Sequence, residues 1–252
     1  GASATNTITL RASNAAGVTI NTGTNALGLV LFGTDYMTID GRLNGTGTTN
    51  MLSIISTSTT SGACGIGLFS QGVGAGCTFN TIRNVNIKML NTSTNFCLYI
   101  GGNGTANGSD NDNNTVMNNN FRSSWYGIQA MGGGLGTDVN DNLVITNNTF
   151  GTDTITRYGL LAGNMNNATI KGNSIRNIIV APADYSNCFG LYLQGSLNTI
   201  AIDGNNIYNV NYRGSGGYGG KGIEINASNI TTPNNISITN NSINRIFLQI
   251  IG

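Results

Sequence analysis

Two short apolar motifs alternate along the chain. The first is an apolar residue, a polar turn rich in Asn and Gly, and a second apolar residue five positions on. It occurs at Ile82 and Ile87, Val116 and Phe121, Ile145 and Phe150, Ile170 and Ile175, Ile202 and Ile207, and Ile238 and Ile243. The second is a short alternating run, usually opened by glycine: Leu29 to Leu31, Ile66 to Leu68, Leu98 to Ile100, Ile128 to Ala130, Leu160 to Ala162, Leu191 to Leu193 and Ile223 to Ile225. Successive starts of the second motif are 37, 32, 30, 32, 31 and 32 residues apart. A fixed period between about 20 and 50 residues marks a solenoid or a propeller.

Alternation at period two sets Ile128 and Ala130, or Leu191 and Leu193, on one face of a strand, and Gln129 or Tyr192 on the other. A strand this short is unstable alone. Stacked about 4.8 Å from its equivalents, it buries a continuous apolar column and satisfies its backbone groups through its neighbours. The predicted fold is an all-β parallel β-solenoid of about seven coils, roughly 32 residues per coil, forming a single domain over residues 1–252. The pairs Asn118-Asn119, Asn147-Asn148, Gly172-Asn173, Gly204-Asn205 and Asn240-Asn241 fall at one corner, where left-handed backbone is needed and Gly and Asn tolerate it. Asparagines repeated there can also stack as an amide ladder. Long Gly- and Asn-rich loops, Asn103 to Asn114, Met131 to Asp141 and Tyr212 to Gly220, are expected at the rim.

Composition sharpens this picture. Charged residues are only 8% of the chain, so Asn, Thr, Ser and Gly must make the polar surface. These residues favour turns and short strands over helices. The 11 basic and 10 acidic residues leave a net charge of +1 and are scattered singly, which gives a nucleic-acid partner little support. No run reaches the roughly 18 apolar residues of a membrane span. Both ends look uncapped: no amphipathic helix precedes Gly1, and an apolar strand from Ile246 closes the chain. Open strands invite edge pairing, so a longer parent polypeptide, or neighbouring domains or subunits stacked on the ends, is expected to cover them.

At this point the residues resemble a family. The run Thr34-Asp-Tyr-Met-Thr-Ile-Asp-Gly41, followed by Asn44-Gly-Thr-Gly and the repeated Asn-Asn corners, is similar to right-handed parallel β-helix repeats with the pectate-lyase-like fold. The likeness extends to very large secreted surface proteins of Bacteroidetes-type bacteria. It implies export to the cell surface by a dedicated outer-membrane route, and a role in adhesion, surface filaments or gliding-associated contact. The same scaffold carries polysaccharide lyases and hydrolases, so fold alone does not choose between an adhesive or stalk module and a polysaccharide-binding or polysaccharide-degrading protein.

Candidate chemistry is sparse. Glycoside hydrolysis needs two carboxylates roughly 5–9.5 Å apart; Asp153 and Asp184 fall out of register, and several coils separate Asp40 from Asp203. The Asn-Thr-Asp run, paired aspartates and His-containing segment of polygalacturonase-like relatives are missing. A non-catalytic module without a cofactor is expected. Asp110 and Asp112, in the run Ser109-Asp-Asn-Asp-Asn-Asn114, are candidate calcium ligands because calcium takes hard oxygens, with a solvated loop as the alternative; the same two with Arg122 are the nearest approach to a lyase set. Tyr126, Tyr158 and Phe189 are spaced for an aromatic ladder, while Tyr99 and Tyr192 point outward by alternation and are candidate contacts for surface glycans. Cys64 and Cys77 could close a small disulfide loop, the alternative being four buried thiols with Cys97 and Cys188. Asn91, Asn103, Asn107 and Asn226 stand in Asn-x-Ser/Thr triplets that an Asn-rich chain produces by chance. An ice-binding surface needs threonines stacked at one outward position, and the spacing of threonines predicts no such column.

Overall fold

The computed structural model describes residues 2–90, 94–102, 107–134, 138–181, 183–184, 186–228 and 235–248. Asn91 and Asn103, much of the loop after Gly102, and the last residues of the terminal apolar strand lie outside them. The chain winds into a parallel β-solenoid of about seven turns, and every pairing between its strands is parallel. Three sheets run along its length.

The first sheet stacks Ile8–Arg11, Met37–Asp40, Thr81–Arg83, Thr115–Met117, Val144–Thr146, the C-terminal parts of Ile155–Lys171 and Cys188–Asp203, and Ile236–Thr239. The second stacks Val18–Gly23, Leu52–Ser56, Val85–Met89, Asn120–Arg122, Thr149–Phe150, Ser174–Val180, Asn206–Tyr212 and Ser242–Leu248. The third takes Leu27–Phe32, Cys64–Ser70, Phe96–Gly102, Ser124–Met131, the N-terminal parts of Ile155–Lys171 and Cys188–Asp203, and Gly220–Ala227. Those two strands pass from the third sheet to the first unbroken because no insertion separates them there; Asn164 and Gly195 make the bend in left-handed backbone.

Equivalent apolar residues lie over one another. In the first sheet the column is Leu10, Ile39, Ile82, Val116, Ile145, Ile170, Ile202 and Ile238. In the second it is Ile20, Ile54, Ile87, Phe121, Phe150, Ile175, Ile207 and Ile243. Leu160, Leu191 and Ile223 follow one another in the third. These columns and their neighbours make one continuous core. Each fully buried aliphatic side chain contributes roughly 1.5–3 kcal/mol, so the rod is held by many equal contributions.

The corner between the first and second sheets is built as its sequence predicts. Asn84, Asn118, Asn147, Gly172, Gly204 and Asn240 hold φ between 53° and 65°. The next residue in five of these turns points inward as a buried amide ladder. Asn119, Asn148, Asn173 and Asn205 each donate Nδ2–H to the Oδ1 of the next coil's asparagine, ending on Asn241, at 2.9–3.1 Å. Each of those Oδ1 atoms also accepts a backbone N–H from the coil before, and each Nδ2 also donates to a carbonyl there, as Asn173 does to Ile145. Buried polar groups must be paired, and this column pairs them along its whole length.

The first two rungs carry an insertion at this corner. Ile39 and Ile54 occupy the places that are five residues apart in later coils, and residues 41–51 bulge out between them around a short turn, Leu43–Gly45. Its base is fixed by Asp40, wholly buried on the outer side of the first sheet. Asp40 accepts from Arg42 Nε and Nη2 and from Arg83 Nη2, each at 2.9 Å. Burial pulls the Asp40 carboxyl upward, but the two guanidinium groups outweigh it and hold the pKa at about 2. A carboxyl depressed below its unfolded value stabilises the fold above the unfolded pKa and loses that contribution as pH falls through the folded one. Acid titration followed by circular dichroism should show a loss on the order of 2 kcal/mol between about pH 4 and pH 2 that Asp40→Asn lacks. An unchanged acid limb in that variant would refute the assignment.

Candidate functional site

All four cysteines are free and buried. Of the two alternatives for Cys64 and Cys77, the structure has the buried thiols and not the disulfide, and the two serve different layers. Cys64 packs with Phe69, Phe96 and Tyr99 in an outer aromatic cluster, whereas Cys77 belongs to the core and donates to the Leu31 carbonyl at 3.3 Å. Burial pushes the Cys64 thiol up to about 12 and those of Cys97 and Cys188 to about 11, so they behave as small apolar residues.

The outer face of the third sheet carries the aromatic ladder. Phe96, Tyr126, Tyr158 and Phe189 stack at centroid spacings of 4.7, 4.9 and 5.0 Å, and Lys221 Nζ lies 5.3 Å over the last ring. Tyr99 and Tyr192 fall in the adjacent outward column, as alternation requires. Tyr99 is only 1% exposed, however: Phe69 and Phe96 close around it, and it offers no platform for a sugar. Tyr192 is half-buried and lies 4.8 Å from Phe189, so it extends the apolar cluster.

Asp110 and Asp112 each accept from a different backbone N–H. Asp110 accepts the Gly74 backbone N–H at 2.6 Å, and Asp112 that of Asp141 at 2.7 Å. Burial, and then the charges of Asp141 and Asp110, raise the Asp112 pKa. Among the described residues no group of three or more His, Cys, Asp or Glu is placed to hold a metal ion. Arg122 is engaged elsewhere, with Asp153, whose carboxylate bridges Arg122 at 3.0 Å and Lys88 at 3.1 Å. Asp203 pairs with Lys171, and Glu224 with Lys221. Asp153 and Asp203 neutralise cations of neighbouring coils, and Glu224 one on its own strand.

The threonines do stack, contrary to the expectation from their spacing. Thr9, Thr38, Thr81, Thr115, Val144, Thr169, Ala201 and Ser237 form one outward column of the first sheet. Variable loops hide it: the step is 25 residues from Val144 to Thr169 and 43 from Thr38 to Thr81. The adjacent outward column contains Arg11, Asp40, Arg83, Met117, Lys171 and Asp203, so the threonines do not form a flat, uniform array.

The feature that sequence reasoning missed lies beside the asparagine corner. The 41–51 insertion leans along the outside of the rod; Asn84 Nδ2 donates to the Thr48 carbonyl at 2.9 Å, and Asn50 Nδ2 reaches the Asn118 carbonyl at 3.3 Å. Between this wall and the second sheet runs a groove of about 580 Å³, lined by Arg42, Asn118, Asn147, Thr149, Thr152 and Arg176 among others. The side chains of Asn118, Asn147 and Thr149 make no hydrogen bond among the described residues, which leaves their amides and hydroxyl facing the groove. Two cations line the groove, Arg42 and Arg176. Lys88 and Arg122 stand outside its lining, in the outward column of the second sheet that also holds Arg176, and both pair with Asp153. Arg83, also outside the lining, shares Asp40 with Arg42. The signal available in the sequence was the long gap between Ile39 and Ile54. Among known proteins, no family model matches the chain, and no curated protein matches it.

Proposed function

We propose that the chain is a non-catalytic β-solenoid module of an exported cell-surface protein, serving as a rigid stalk with an adhesive flank. The observation that carries this reading is the parallel pairing of each coil with the next in all three sheets, interrupted only by local bulges, together with the buried amide ladder from Asn119 to Asn241, which makes a stiff rod. The pairing of carboxylates with cations, and not with each other, supports a structural over a hydrolytic role. Export and surface display rest on the resemblance to secreted β-helix surface proteins. Ile238, Ile243 and Phe247 in the last rung are each about half exposed, as are Ile8 and Phe32 at the other end. A neighbouring coil or subunit stacked on the last rung would bury Ile238 and Ile243 as the interior rungs bury Ile202 and Ile207.

The rival is a polysaccharide lyase or hydrolase. Incubating the purified chain with plant, algal and bacterial polysaccharides should release neither unsaturated nor reducing ends. Release of either, at a rate proportional to protein concentration, would replace the stalk with an enzyme.

A further inference from the structure

We propose that the groove beside the asparagine corner binds an acidic oligosaccharide, a hydroxyl-rich chain carrying carboxylate or sulfate groups. This gives chemistry to the adhesive flank and rests on the non-catalytic reading above. The argument begins with Arg176. Arg42, on the opposite wall, is neutralised by the buried Asp40. Among the described residues Arg176 has no carboxylate partner: Nη1 donates to the Tyr208 hydroxyl at 3.1 Å, and Nε is buried without a hydrogen-bond partner. A guanidinium held in place by a phenol and lacking a counter-charge is built to receive an anion, and its planar fork matches a carboxylate or a sulfate.

The rest of the lining fits the remainder of such a ligand. Asn118 and Asn147 present free amides one coil apart, each with donors and an acceptor, and Thr149 adds a hydroxyl, while the Thr152 hydroxyl donates to Asn120 and can still accept. Groups that both donate and accept suit the hydroxyls of a sugar ring. The amides repeat at the coil spacing of about 4.8 Å, so successive rings of an extended chain can meet equivalent partners. The lining holds Arg42 and Arg176 and no carboxylate, and Arg42 alone of the two is paired with one, so the groove favours an acidic chain over a neutral one. A single-stranded nucleic acid also carries anions, but its bases need aromatic platforms, and no aromatic ring lines the groove.

The test is calorimetric titration of the intact chain with four probes: an oligogalacturonate, a sulfated heparin-type oligosaccharide, a neutral malto-oligosaccharide of equal length, and an oligothymidylate. Binding of either acidic sugar at least tenfold tighter than both controls supports the proposal, and the two acidic arms tell carboxylate from sulfate. Arg176→Gln should weaken that binding at least tenfold, and Asn147→Gly severalfold, each with an unchanged melting temperature; the exposed Arg213→Gln should have no effect. Equal binding of the neutral sugar or the oligonucleotide, full displacement by inorganic sulfate alone, or insensitivity to Arg176→Gln would overturn it. A turnover signal with intact groove binding would sink the non-catalytic reading and leave the groove standing. Adhesion of the chain to cells without any groove binding would do the reverse.

Discussion

Asn173→Ala is expected to destabilise the solenoid by about 3–5 kcal/mol, although the residue is polar and lies in a turn. Its Oδ1 accepts the Asn148 backbone N–H at 2.9 Å and the Asn148 Nδ2–H at 3.0 Å, and its own Nδ2 donates to Ile145 O and Asn205 Oδ1, both at 2.9 Å. The site is wholly buried, so no water replaces these bonds. Alanine therefore strands an acceptor and two donors in the core. Asn173→Asp keeps the shape but turns a donor into a charged oxygen facing Asn205 Oδ1 or the Ile145 carbonyl, and should cost at least as much. The exposed outward Asn206→Ala, on the neighbouring coil, should stay within about 0.5 kcal/mol. Urea unfolding of the three variants decides the matter; a loss below about 1 kcal/mol for Asn173→Ala would mean that the ladder contributes little.

Adding one methyl group at Gly190 should be nearly as damaging. A Cβ there would sit 2.5 Å from Ile207 Cγ2 and 2.7 Å from the Gly222 carbonyl oxygen. Gly159 faces the same geometry, 2.5 Å from Ile175 Cγ2 and 2.6 Å from the Gly190 oxygen. Isoleucine can shift slightly, but a strand carbonyl cannot move without lengthening the ladder of which it is part. Gly190→Ala is expected to cost roughly 2–3 kcal/mol, and Gly159→Ala with Gly190→Ala to prevent folding at 37 °C. Gly219→Ala, where nothing lies within 4 Å of the added carbon, should melt with the wild type. Equal melting temperatures for Gly190→Ala and Gly219→Ala would refute the packing argument.

These glycines also explain how much could be read from the chain. The third sheet repeats almost evenly because its strands open with a glycine that lets the backbone close on the isoleucine column of the second sheet. That spacing is visible in the sequence, and so are the asparagine turns, because both are backbone requirements that few residue types meet. The first two rungs were harder: residues 41–51 separate Ile39 from Ile54 and break the five-residue spacing. The groove was hidden for the same reason, since its wall is that insertion and its two cations, Arg42 and Arg176, come from distant coils. Tyr99 shows a different limit. Alternation places its ring on the outer face correctly, but burial there depends on Phe69 and Phe96 from the same and the preceding coil. The threonine column failed to show because loops of unequal length lie between its members, and register is a property of the stack, not of the sequence interval.

The amide ladder has a direction: from Asn119 to Asn205 each Nδ2 gives one hydrogen to the Oδ1 of the coil after it, and that Oδ1 receives from the coil before. A full turn can therefore be cut out or copied with its connections restored. Removing residues 173–204 would seat Asn205 where Asn173 now meets Asn148, with the same handshake on both sides. The molecule is in effect a ruler whose length changes in whole notches of about 4.8 Å, and duplication of a single stretch of gene is enough to add one.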